Sequence, residues 1–339
     1  MKHVVIIGGG IAGLTVASQL CNSNCKVTII EKSNRLGGNL SNYTYLFPDF
    51  SKVEDVLKGY IEKVNSSDIR VIYHTEIHKV KREKDKFILE SIDNVRINAD
   101  AVVVATGYKV FDATIKEEFG YKIFDNVITS VDLENMIKEN KIITSKGEKP
   151  SRVAFIHCVG SRDAKVGNLY CSRVCCITAI KQAIEVKKLL PDVEIFCFYI
   201  DLRLYGSNFD NIYLTAQRDY RIQFIRGRLS ETSEKQDKTL LIKAEDTLSG
   251  RPLQMHVDMI VLMVGIEPNN FAQYMKNENY LHLDENGFIK QKNVHLERNI
   301  TLEEGVFLAG TCIGPMSVGE TVDHSKAAAF EVLKYLSRN

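Results

Sequence analysis

Apolar residues in this chain gather into short, β-branched runs that each stop at glycine or at a charged residue. The first, "HVVII" (3–7), leads into the glycine turn "GGGIAG", and then into Leu14, Ala17 and Leu20 at helical spacing. "KVTIIE" (26–31) reads as the next strand, so the N-terminal stretch predicts a βαβ unit. Further buried strands are predicted at "ADAVVVATGY" (99–108), "VAFIH" (153–157), "MIVLMVGIEPN" (259–269) and "EGVFLAGT" (304–311). A helix is predicted over "SVDLENMIKEN" (130–140), and another where Ile177, Ile180, Ile184, Leu189 and Leu190 recur. Strands alternating with helices make this an α/β chain built on parallel sheets. Its longest apolar runs, such as "MIVLMVGI" (259–266), fall far short of the roughly 20 residues that span a bilayer. No low-complexity tract or internal repeat interrupts the pattern.

The turn of the first unit reads Gly8-x-Gly10-x-x-Gly13, and Glu31 closes the second strand. Such glycines let backbone approach a pyrophosphate, whose charge sits on the helix N-terminus, while the acid accepts from a ribose hydroxyl. Three further pieces bear on which dinucleotide is bound: "RLGG" (35–38), the strand into Thr106–Gly107, and the strand into Gly310–Thr311. In this order the set resembles the two-dinucleotide-binding flavoproteins of the thioredoxin reductase-like group. The resemblance implies an FAD-binding Rossmann-like domain interrupted by a second Rossmann-like domain. It places FAD on Gly8, Gly10, Gly13, Glu31, Gly37, Gly38, Thr106, Gly107, Gly310 and Thr311, with Ala12, Lys32, Arg35, Val80 and Ala105 completing the set. The expected division is residues 1–115 for the first part of the FAD domain and 116–150 for a connecting segment. Residues 151–265 are then the inserted NAD(P)-like domain with the cysteine cluster, and 266–339 the second FAD part. Where NAD(P)H-using relatives have a second glycine motif, "CVGSRD" follows "VAFIH", so that cradle is missing and a cysteine stands at its start.

Charge narrows the partners. Lys plus Arg (44) nearly cancels Asp plus Glu (43), which excludes the electrostatic signature of a nucleic-acid or acidic-membrane binder. The basic, apolar N-terminus has the look of a signal peptide, but three consecutive glycines within it argue for a cytoplasmic chain without membrane insertion. In that compartment eight cysteines point to reactive or metal-bound thiols rather than a disulfide framework. Cys21, Cys25, Cys197 and Cys312 are scattered and read as small buried hydrophobes.

Cys158, Cys171, Cys175 and Cys176 are not scattered. Three readings compete: buried structural cysteine, a structural zinc, and an iron–sulfur cluster. Zinc favours short C-x(2–4)-C pairs, which only Cys171 and Cys175 approach, and adjacent residues converge poorly on one tetrahedral ion. A cubane offers separate iron corners, so Cys175 and Cys176 can bind different irons at a helix N-terminus that favours thiolates. The cluster fits best. There is no Cys-x-x-Cys and no cysteine pair after "RLGG", so both familiar disulfide-exchange sites are missing.

"VAFIHCVGSRD", "YCSRVCC", "AIKQA", "FIRGR", "EDTLSG" and "GVFLAGTCIGP" closely resemble the A-type flavoprotein component of heterodisulfide reductase. That resemblance implies FAD, a [4Fe–4S] cluster on the four cysteines, a homodimer, and partners like the B and C subunits. It also matches Lys181 to a lysine near the flavin, giving it a catalytic role; the bland alternative is a solvated stripe of Lys181, Glu185 and Lys188. Longer members carry additional iron–sulfur segments, whereas this chain opens on the FAD strand and reads "DFSKVED" after "LFP" (46–48). The expectation is a short, non-bifurcating form, as in sulfur-oxidising heterodisulfide reductase-like complexes or simple electron-transfer assemblies. The rival is a stand-alone NAD(P)H-dependent flavin oxidoreductase with a structural metal site; a third class is a scaffold without turnover.

Overall fold

The computed structural model of the 339-residue chain describes all residues except Ser207, Glu278, Asn279 and Asn339. The chain packs as two units. Residues Met1–Ser41, Val53–Lys109 and Glu267–Asn339 form the first, and Asn42–Lys52 and Val110–Ile266 the second.

The first unit begins with β1 (Lys2–Ile7), α1 (Ile11–Leu20) and β2 (Cys25–Ile30), then α2 (Val53–Asn65) and β3 (Ile69–Ile72). An antiparallel sheet of β4 (Ile77–Glu83), β5 (Lys86–Ser91) and β6 (Arg96–Ala99) precedes β7 (Ala101–Val104). The chain leaves this unit through β8 (Tyr108–Val110) and returns through β17 (Ile266–Pro268), followed by α6 (Asn270–Asn277), β18 (Val306–Leu308) and α7 (Val318–Leu336). Its main sheet is wholly parallel in the order β18–β7–β1–β2–β3. Central strands covered on both faces must be apolar throughout, and Val4, Val5, Ile6, Val102 and Val103 are fully buried. Leu14, Ala17 and Leu20 of α1 face inward as the periodicity predicts, but Thr15 and Val16 are fully buried as well, because α7 packs on the helix in addition to the sheet. A capping box starts α7, with Ser317 accepting from the Glu320 amide and Glu320 from the Ser317 amide.

The second unit holds β9 (Val127–Thr129), α3 (Ser130–Lys138), β10 (Arg152–Val159), α4 (Cys175–Leu189), β11 (Glu194–Tyr199) and α5 (Phe209–Arg218). After β12 (Gln223–Arg226) come the antiparallel β13 (Leu229–Glu234), β14 (Leu240–Asp246) and β15 (Arg251–Val257), then β16 (Met259–Val264). The parallel order is β12–β11–β10–β16–β9. Residues 116–150, read from sequence as a connecting segment, supply the edge strand β9 and the helix α3. Residues 42–52, read as part of the FAD domain, instead pack with the second unit. Phe47 meets Phe209 edge to face at 5.4 Å, and the Lys188 ammonium lies 4.1 Å from the centre of the Phe50 ring.

Both parallel sheets reverse direction of growth at their middle strand, β1 in one and β10 in the other. Open α/β sheets bind ligands just beyond the carboxyl end of that strand. No helix among the described residues is long and apolar enough to cross a membrane.

Candidate functional site

At the end of β1 the backbone is crowded enough to require glycine. A Cβ on Gly13 would lie 1.9 Å from the Gly8 carbonyl oxygen, and one on Gly38 would lie 2.9 Å from the Gly10 Cα. The amide of Gly37 donates to the Gly9 carbonyl at 2.8 Å, so the two glycine stretches touch backbone to backbone. Helix α1 starts there with Gly10 as its N-cap, no side-chain cap and no acid in its first turn. Its amides and dipole are open to an anion. Glu31 is buried: Oε2 accepts from the Gly9 amide (2.7 Å) and Oε1 from the Ser33 amide and hydroxyl (2.8 Å each). The acid therefore holds the turn closed.

Gly107 (φ +68°) and Gly310 (φ +70°) turn the chain at the ends of β7 and β18. Thr106 Oγ1 is buried without a hydrogen-bond partner. The Gly310 amide donates to His324 Nδ1 at 3.0 Å, and Asn299 Nδ2 donates to the Leu308 carbonyl at 2.9 Å, so buried side chains hold this turn. Burial pushes the His324 pKa down to about 4, which keeps its imidazole neutral and able to accept. Ala12, Ala105 and Thr311 are buried alongside, whereas Lys32 and Arg35 are exposed. Val80 packs in the apolar core of the unit with Val5 and Ile7, leaving only its backbone for a ligand. An uncapped helix start over a glycine-lined turn, with an orphaned threonine hydroxyl nearby, fits a dinucleotide.

At the end of β10 the same position is built differently. The β10–β16 register slips between Ile156 and Val159, and Cys158 takes φ +60°. Such a bulge re-aims a side chain next to a site. Gly160 follows at φ +75°, where a Cβ would overlap the Phe111 ring at 2.0 Å. Residues 160–174 form a loop pinned at several points. The Arg162 amide donates to the Tyr170 carbonyl (2.9 Å), Asn168 Nδ2 to the Gly160 carbonyl (2.9 Å), and Tyr170 Oη to the Ile266 carbonyl (2.8 Å). Ser172 Oγ accepts from the Ile266 amide at 2.9 Å. Arg162 and Arg173 share the left-handed backbone of Cys158, at φ +54° and +59°. Strained non-glycine residues of this kind gather at functional sites.

This loop brings the four cysteines together. Cys158, Cys175 and Cys176 are buried, Cys171 is partly exposed, and all four are free thiols. A hydrogen bond from Cys175 holds the Cys158 thiol down, and a second, aided by His157, holds Cys176 down to about 4. Bonded to both, Cys175 is pushed well up and keeps the shared proton. Burial pushes Cys171 up, although the Arg173 amide donates to its sulfur at 3.3 Å. His157 went unread in the sequence. Its ring is buried without a well-aligned hydrogen bond. Burial disfavours its charge, but the Cys176 and Cys197 sulfurs outweigh that and raise its pKa to about 10. Of the scattered cysteines, Cys197 and Cys312 are buried as expected, while Cys21 and Cys25 are only partly so.

Among the described residues no three His, Cys, Asp or Glu side chains converge on a single metal-binding point. A tetrahedral zinc requires such convergence; a cluster does not, because its ligands attach to different iron atoms. Four free cysteines, three of them in mutual contact, supply the soft donors such a group takes.

Lys181 and Glu185 do not form a solvated stripe. They are 1% and 3% exposed. Lys181 Nζ donates to Glu134 Oε1 at 2.6 Å and to the Tyr45 carbonyl at 3.1 Å, and lies 3.2 Å from Glu185 Oε2. Gln182 Nε2 also donates to Glu134 Oε1 (2.8 Å), and the Thr44 amide donates to Glu134 Oε2 (3.1 Å). Neither Glu134 nor segment 42–52 carried a sequence signal for this arrangement.

Residues 2–329 match the family described as pyridine nucleotide-disulphide oxidoreductase. The A-type subunit of the H(2):CoB-CoM heterodisulfide,ferredoxin reductase of Methanothermobacter marburgensis is 41% identical over 70% of this chain and 37% of its own length. An A-type iron-sulfur subunit of the CoB–CoM heterodisulfide reductase of Methanopyrus kandleri is 30% identical over 97% of this chain and 63% of its own. The chain thus spans less than two thirds of either relative. Thioredoxin reductases of Lactococcus lactis (TM-score 0.72, 17% identity, 100% of both chains) and T. acidophilum (0.69, 18%, 100% of this chain and 99% of that one) share the fold.

The buried triad makes stability depend on pH. Burial pushes Glu185 from its ordinary 4.5 up to about 7, against the attraction of Lys181. Between those values the folded chain holds a proton that the unfolded chain has released. The contribution is complete below pH 4.5 and is lost as pH rises through 7, at most about 3 kcal/mol at 1.4 kcal/mol per unit. Glu185→Gln should remove this slope, so that urea midpoints at pH 5 and pH 8 lie closer together than in wild type. Parallel pH profiles for the two proteins would show that Glu185 is ionised throughout.

Proposed function

The chain belongs to the pyridine nucleotide-disulphide oxidoreductase family, and we propose that within it the protein is an FAD- and [4Fe–4S]-containing electron-transfer subunit of a heterodisulfide reductase-like complex. The carrying observation is the gathering of Cys158, Cys171, Cys175 and Cys176 at the end of β10, where a second dinucleotide would otherwise sit. FAD would supply two-electron chemistry and the cluster one-electron chemistry. The chain's own part is to hold them. The uncapped start of α1 and the turn Gly8–Gly13 receive the pyrophosphate, Glu31 closes that turn beside the ribose, and the four thiols ligate the cluster. The names of the relatives, one of them an iron-sulfur protein by name, agree with this reading. Partners like the B and C subunits, a homodimer and a cytoplasmic setting belong to the same proposal.

Anaerobically purified protein should hold one non-covalent FAD and about four irons per chain. Cys176→Ser should lower iron while leaving FAD in place, because the two sites are built by separate units. Stoichiometric zinc with little iron after anaerobic reconstitution would sink the cluster.

NADH and NADPH should reduce the flavin poorly. The loop 160–174 separates β10 from α4, which begins on Cys175, so no tight glycine turn meets a helix start there. Rapid stoichiometric bleaching in a stopped-flow mix would favour the stand-alone oxidoreductase instead.

Lys181 is proposed to tune the flavin, as the family resemblance implies. Its charge is already opposed by Glu134, so Lys181→Met should lower the flavin midpoint only modestly, on the order of 30 mV. An unchanged midpoint with both cofactors loaded would leave Lys181 a purely structural ion.

A further inference from the structure

Directly after β11 the loop Asp201–Tyr205 covers the cysteine site. Cys176 Sγ lies 3.7 Å from the Asp201 carbonyl oxygen. Arginines line this loop and the backbone beside it, and the Arg173 guanidinium lies 5.4 Å from the centre of the Tyr205 ring. Arg162 binds the Asp201 carboxylate, and Arg203 Nε lies 3.4 Å from the same group. Arg226 Nε donates to the Ile200 carbonyl (3.2 Å) and Arg228 Nη2 to the Arg162 carbonyl (2.6 Å); both side chains are exposed. Asp201 engages two of these guanidiniums, those of Arg162 and Arg203, whereas Asp163 is buried on Lys116 at 2.7 Å. The chain as a whole has a net charge of only +1, so this concentration is local rather than a reflection of general basicity.

Tyr205, 53% exposed, stands in the same loop. Exposed tyrosine among arginines is the composition of interface hot spots, whereas a face meant only for solubility favours lysine. We propose that this arginine face is the docking surface for an acidic electron-carrier protein, seated over the cysteine site. Charge complementarity selects the partner. Clustered guanidiniums repel a basic surface, attract an acidic one from solution, and offer forked N–H donors to its carboxylates. The proposal rests on the reading of the cysteines as a redox centre, and its test separates the two.

Full-length protein with measured iron content would be titrated with a small acidic ferredoxin and, in parallel, with a basic cytochrome c of similar size, at 50 and 300 mM NaCl. The ferredoxin should bind, with its Kd weakening at least tenfold across that range; the cytochrome should not bind. Arg226→Glu/Arg228→Glu should weaken ferredoxin binding at least tenfold at low salt and flatten the salt dependence, with iron and FAD unchanged. The neutral pair Arg226→Gln/Arg228→Gln should fall between, which guards against a folding defect in the reversed variant. Ferredoxin binding equal in all three proteins would overturn the docking face, as would variants that lose iron yet bind like wild type, since the arginines would then serve only to balance thiolate charge. Arginine-dependent binding by a preparation that cannot be loaded with iron would uphold the face while removing the cluster.

Discussion

A fully buried ammonium organises the second unit. Lys181 cannot leave water without opposite charge beside it, and Glu134 on α3 supplies that charge at 2.6 Å. The requirement matters because α4 is buried on all sides from Cys175 to Val186. A helix with no solvent face has no amphipathic pattern to fix its rotation, since apolar side chains accept many packings of similar energy. The directional bonds of Lys181 to Glu134 and of Gln182 to Ser130 and Glu134 choose one of them. That choice aims Cys175 and Cys176, at the start of the same helix, toward Cys158 and His157. The same ammonium donates to the Tyr45 carbonyl as its third partner, which holds residues 42–52 against this unit.

These roles explain what could and could not be read from the chain. The parallel strands were legible because a strand covered on both faces must be apolar at nearly every position, and β1, β7, β10 and β16 are so. The glycine turn was legible because backbone contact at 1.9 Å leaves no choice of residue at Gly13. Lys181 and Glu185 were ambiguous for a physical reason. A spacing of four places two charges side by side on a helix whether that side meets water or the core, and only tertiary packing decides between them. Segment 42–52 was illegible because its anchors, Phe47 and Phe50, are too sparse to form a periodic pattern. His157 was hidden inside a strand pattern in which every neighbour is also buried.

The two units put one topology to two uses. In each, the middle strand of a parallel sheet ends at the point where the sheet reverses its growth. After β1 the chain turns through glycine directly into α1, and the bare amides of the helix face whatever anion enters. After β10 a bulge and a left-handed Cys158 replace that turn, and a loop of fifteen residues intervenes before α4. The helix start is retained, but two thiols now occupy it. Where the first site offers backbone amides to a phosphate, the second offers sulfur, without any change in strand order.

Proton placement in that second site follows from its burial. Four thiolates could not stand together in an apolar pocket: burial pushes Cys171 up, and the hydrogen bonds that hold Cys158 and Cys176 down push Cys175, which makes both, well up. His157, its pKa raised to about 10 by the Cys176 and Cys197 sulfurs, sets positive charge against the same site. A metal group binding all four sulfurs must displace the protons of Cys171 and Cys175, so its binding is coupled to proton release. Cys171 is the one thiol of the four that is not fully buried.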